Sequence, residues 1–125
     1  AQVTDLASTI NELKAKNLLH DTVVLMFGAN SAFTKGQLER ELKRIGMEKQ
    51  IFLVTTTTSK TWRDDVNNVY ASVSEKYSNV HVLDWNEYSK DQDWFYSHKS
   101  YVTEVGAHEE ALFFAKKIYE TLRGN

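Results

Sequence analysis

Apolar positions along this chain fall into short continuous runs separated by stretches with helical spacing, and the alternation predicts most of the elements. Leu6, Ile10 and Leu13 recur at four-then-three spacing behind Thr4 and Asp5, which predicts a one-faced helix that fades near Asn17. Val23–Phe27 is an uninterrupted apolar run that stops in Gly28-Ala29-Asn30. A strand without polar alternation is buried on both faces, so this run is expected in the middle of a parallel α/β sheet. The turn at its carboxyl end is where such sheets place ligands. No strand-like segment precedes it, so the most central-looking strand lacks the unit that would flank it.

Thr34-Lys-Gly-Gln37 forms a capping box, and Phe33 can staple onto Leu38, so the next helix starts at Thr34. Leu38, Leu42 and Ile45 line its buried side, and Gly46 stands where a left-handed residue ends a helix. Ile51–Val54 is a second short apolar strand, followed by a Thr55–Thr58 run expected as strand end and loop. Thr61 opens a third helix that buries Val66, Val69, Tyr70, Val73 and Tyr77, with Asp64 in its first turn. Val80–Leu83 is the third strand. Asp84–Tyr101 has no period and is expected to be a long irregular loop, a kind of segment that is often functional. Thr103 caps the last helix, whose stripe of Ala107, Ala111, Phe114, Ala115, Ile118 and Leu122 is expected to be its buried side, and Gly124 ends it. Alternating helices and strands predict one three-layer α/β/α domain over residues 1–125, with a short parallel sheet and right-handed crossovers.

Composition narrows the function classes. The 125 residues suit one domain with one core. A formal net charge of -2, without a basic stripe, offers no broad attraction for nucleic acid. No cysteine is present, which removes thiol nucleophiles and thiolate metal sites. No run approaches the ~18 apolar residues needed to span a bilayer.

Each candidate site has a plain structural alternative. Gly28 allows close backbone approach at a strand end and the Asn30 amide could donate to an oxyanion, although both residues are also ordinary turn formers. Ser31 lacks the strained elbow of a hydrolase nucleophile. His98, near Asp91, Asp93 and Glu104, could act as a base or join His108 at a metal, but the spacing fits no standard ligand pattern. No metal or cofactor is expected. Trp85, Trp94, Phe95 and Tyr96 could stack on a sugar or form a lid on the core.

The order of these features resembles a known family. Glu12–Lys16, Asp21-Thr-Val-Val24 leading to Gly28-Ala-Asn30, Phe33-Thr34, Ile51–Val54, Trp62 with Val66-Asn67, Lys76–Val80, Asp84-Trp85, Asp93–Tyr96, Thr103 and Gly106-Ala107 follow one another as in the SGNH-hydrolase-like extracytoplasmic C-terminal domain of membrane-bound acyltransferases, including peptidoglycan O-acetyltransferases. The resemblance implies an SGNH-hydrolase/flavodoxin-like fold that here lacks the first βα unit, a piece of roughly 30 residues or more. It implies a bacterial cell-surface location, tethered to the membrane only through a parent protein. Family members use a serine after the first strand and an Asp-x-x-His pair before the last helix. Here the aspartate position reads His98 and the histidine position reads Tyr101. A tyrosine with a reference pKa near ~10 cannot accept the serine proton at neutral pH as imidazole does. Of the family's site pattern only Gly28 and Asn30 remain, as an oxyanion contact; Trp94 and Tyr96 are candidate substrate-binding rings by their own chemistry.

These departures imply a domain with no intact triad, engaging a glycan or acyl donor or regulating its parent. The rivals are an acetyltransferase or esterase that becomes active when joined to an upstream serine-bearing segment, a non-catalytic glycan-binding module built on Trp85, Trp94 and Tyr96, and a flavodoxin-like nucleotide domain. The last lacks a Gly-rich phosphate loop. An apolar, unpaired strand edge invites association, so the Val23–Phe27 edge is expected to be covered by an upstream segment or a second copy of the chain.

Overall fold

The computed structural model describes residues 21–26, 32–97 and 101–123, and within them three strands alternate with helices. The order is β1 (Thr22–Leu25), α1 (Lys35–Ile45), β2 (Gln50–Val54), α2 (Arg63–Lys76), β3 (Val80–Leu83), α3 (Trp85–Ser89) and α4 (Glu104–Arg123). The helix predicted around Leu6–Asn17 lies outside the described residues. The sheet is parallel in the order β1-β2-β3, with Val23 opposite Ile51, Leu25 opposite Leu53, and Val54 opposite Leu83. Because each crossover steps in the same direction, α1 and α2 share one face of the sheet. α3 and α4 cover the other, which gives the expected α/β/α layering.

Strand placement departs from the sequence reading. The central strand is β2, whose Ile51, Phe52, Leu53 and Val54 are all fully buried, and β1 is an edge of the described sheet. On β1, Val23 and Leu25 pack on the first core cluster, while Val24 and Met26 are 41% and 51% exposed. The two runs look alike in sequence. What separates them is that β2 has a strand on each side and β1, among the described residues, has one.

The first face is the conventional core. Leu38, Leu42 and Ile45 of α1 meet Val66, Tyr70 and Val73 of α2 over Ile51 and Leu53, and all eight are fully buried. The capping box is present: Thr34 Oγ1 accepts from the Gln37 N–H at 3.1 Å, and the Gln37 side chain accepts from the Thr34 N–H at 2.8 Å. Gly46 ends α1 at φ +119°, a region that favours glycine. α2 begins one residue later than expected, with Trp62 at the cap position in a helical conformation and no side-chain cap. Lys35 donates to Ser72, while Glu39 accepts from Lys76 and Tyr77, and these bonds tie α1 to α2. The Lys76 ammonium and then the Tyr77 hydroxyl hold the Glu39 carboxyl below its ordinary range.

The second face is aromatic. Phe52, Val54, Leu83, Trp85 and Phe113 form its buried cluster, flanked by Trp94, Phe95, Phe114 and Ile118. Asp84–Ser97 is more regular than expected: Asp84 Oδ1 accepts from the Glu87 N–H and caps the short helix α3, which drives Trp85 into this cluster. α4 also departs from expectation. Its buried positions are Gly106 and Phe113; Ala107, Ala111, Ala115 and Leu122 are exposed, and Phe114 and Ile118 are half-buried. The ring of Phe113 stacks on Tyr88 at 4.4 Å and lies 5.8 Å from Trp85, and these contacts set the rotation of the helix.

Candidate functional site

The segment ahead of α4 is clipped shut by its own backbone. Phe95 and Val102 form an antiparallel bridge, the Tyr96 N–H donates to the Tyr101 carbonyl at 3.0 Å, and the Thr103 N–H donates to the Trp94 carbonyl at 2.7 Å. Thr103 then caps α4 as expected, its Oγ1 accepting from the Gly106 N–H at 3.2 Å. Gly106 is a packing requirement, because a Cβ there would run into the Trp94 carbonyl oxygen and Cβ and press on Val102. The loop is thereby seated on the first turn of the helix.

This seating decides what the aromatic residues can touch. Trp94 stacks on Trp85 with centroids 5.6 Å apart and planes 9° from parallel, and Trp85 is 2% exposed. Those two rings serve the second core cluster. Tyr96 and Tyr101 are each 59% exposed, and Tyr96 lines a hollow of about 380 Å³ with Asp91, Asp93 and Phe95. Tyr101 is thus paired through its backbone with Tyr96 on the surface of the loop. His98, Gly28 and Asn30 lie outside the described residues. Among the described residues no three His, Asp or Glu side chains converge as metal ligands would.

The Thr55–Thr58 run was read as strand end and loop, and it does follow β2. Its chemistry was not anticipated. Thr55 Oγ1 donates to Asp84 Oδ1 at 3.1 Å and accepts from the Asn86 N–H at 2.8 Å, which joins the carboxyl ends of β2 and β3. Asn67 holds the Thr56 backbone at both ends, accepting from its N–H at 2.8 Å and donating to its carbonyl at 3.1 Å. The sequence signal was the Asp84-x-x-Glu87 cap signature directly after a strand, together with an Asn in the first turns of the preceding helix.

No family model matches the chain. Among individual proteins, it is 31% identical over 107 residues to the peptidoglycan O-acetyltransferase OatA of Listeria monocytogenes, an alignment covering 85% of this chain and 17% of that protein. It is also 34% identical over 88 residues to the O-acetyltransferase OatA of Staphylococcus aureus, covering 70% of this chain and 13% of that protein. The chain belongs to this O-acetyltransferase family. It corresponds to a domain-sized part of its relatives, spanning less than a fifth of their length. Its α/β architecture with a short parallel sheet is the fold implied by the resemblance. Among the described residues, no helix is long and apolar enough to cross a membrane.

Proposed function

We propose that this chain is the SGNH-like domain of a cell-envelope O-acyltransferase in which the Ser-His-Asp triad is not intact, and that it engages the glycan or regulates the parent enzyme. The observation that carries the reading is Tyr101. It stands where the family places its histidine, and no proton-accepting imidazole backed by a carboxylate is provided at that position. Gly28 and Asn30 would retain the oxyanion contact, and the exposed ring of Tyr96 suits the face of a sugar. The domain would work outside the cytoplasm as part of a longer, membrane-tethered polypeptide. The open edge of β1, with Val24 and Met26 exposed beside it, would be covered by a preceding segment of that polypeptide or by a second copy.

The test is hydrolysis of 4-nitrophenyl acetate by the chain. The expected rate equals the buffer background and is unchanged by a serine-directed phosphonate. Turnover that such a phosphonate abolishes would refute the non-catalytic reading and restore an acyl-serine mechanism.

A further inference from the structure

A second hollow, of about 430 Å³, opens at the carboxyl ends of β2 and β3, between the first turns of α2 and α3 and away from the Tyr96–Tyr101 loop. The buried Thr55 forms its floor, and its lining includes the exposed Asp84 with Asn67, Asn68, Ala71 and Asn86. Part of the lining is locked: Asp84 Oδ1 is occupied by the Thr55 hydroxyl and the Glu87 N–H, and both ends of the Asn67 amide are occupied by Thr56. Three groups stay open to a ligand. They are the second oxygen of Asp84 and the side-chain amides of Asn68 and Asn86, none of which has a hydrogen-bond partner among the described residues.

We propose that this cleft binds a neutral sugar residue through adjacent hydroxyl or acetamido groups, as a glycan subsite separate from the Tyr96–Tyr101 loop. An amide both donates and accepts, and a carboxylate oxygen accepts, so the three together match the alternating donors and acceptors of a vicinal diol. Asp84 and the backbone of Asn86 are held in place by hydrogen bonds, so little ordering of these two is required on binding. Charge selects the class of sugar. Asp64, Asp84 and Glu87 line the hollow with no Lys, Arg or His among the lining residues, which disfavours an anionic ligand. Arg63 and Lys90 pair with Asp64 and Glu87, so the cleft is not built for a cation either. The inference rests on the glycan-engaging reading above.

Titration of the chain with N-acetylglucosamine trisaccharide, followed by backbone amide NMR shifts, tests it. The expected shifts fall on Thr55, Asn68 and Asn86; Ala71→Phe, which fills the hollow, abolishes them, and Tyr96→Ala leaves them. Asn68→Ala and Asn86→Ala, both surface changes, each weaken binding roughly tenfold. A hexuronic acid trisaccharide gives no shifts at the cleft. Shifts confined to residues around Tyr96 and Tyr101 and unaffected by Ala71→Phe would overturn the cleft while leaving glycan engagement standing. No shift at any residue would overturn both.

Discussion

The two faces of the sheet, one mainly aliphatic and one mainly aromatic, end up closed to very different degrees. On the α1/α2 face, helical stripes and strand positions interlock, and eight side chains from three elements reach full burial. On the α3/α4 face, α4 buries Gly106 and Phe113 and leaves Val105, Leu112, Tyr119 and Leu122 between 46% and 63% exposed, and Val24 and Met26 at β1 are exposed as well. The first face resembles a finished core. The second is finished where the aromatic cluster sits and open along the rest of α4. Apolar side chains this exposed on a helix and on a strand that, among the described residues, is an edge are the kind of surface that meets another one.

The largest contrast is expected from deletions on the two faces. Leu42→Ala removes a fully buried side chain and should cost about 2–5 kcal/mol, whereas Leu112→Ala should change the stability of this chain by less than about 0.5 kcal/mol. Urea unfolding of both variants measures the gap, and equal losses would break the distinction between a closed and an open face. Gly106→Ala should come next. Its added methyl group collides with the loop at Trp94 and Val102, for a cost of about 1–3 kcal/mol, and it should shift the NMR signals of Tyr96 and Tyr101 more than those of α1. A uniform effect on both faces would mean that the loop is not seated on α4.

The smallest effect is a pH dependence on α4. Burial raises the pKa of Glu110 above the ordinary carboxylate value. For an acid raised in the folded state, the protonated form is favoured by folding, so the contribution is complete below the unfolded pKa of about 4.5 and is lost as pH rises through the folded value. Glu110→Gln should therefore raise the Tm at pH 7 and leave it nearly unchanged at pH 4. A variant whose Tm gain is the same at both pH values would show that Glu110 is solvated like its neighbours on the open side of the helix.

Local chemistry was well marked in the chain. The Thr34 capping box, the Thr103 cap, the glycine that ends α1 and the stripe Leu38-Leu42-Ile45 all read directly, because each depends on residues within a few positions of one another. Asp84-x-x-Glu87 is also a helix-start signature, but the segment reads as loop in the sequence because α3 is only five residues long and carries no apolar period. The candidate site was less legible. The stacking of Trp94 on Trp85 and the seating of the loop on Gly106 depend on contacts between separate segments.

From its sequence alone, the protein determines that strands and helices alternate and where most of its described helices begin. Only the tertiary structure decided that β2 rather than β1 is central, that α4 turns Phe113 inward and its alanines outward, and that Trp85 and Trp94 belong to the core. Periodicity records how one segment's side chains divide between two sides. Which side is buried, and how completely, depends on neighbours far away in sequence, and those exist only once the chain has folded.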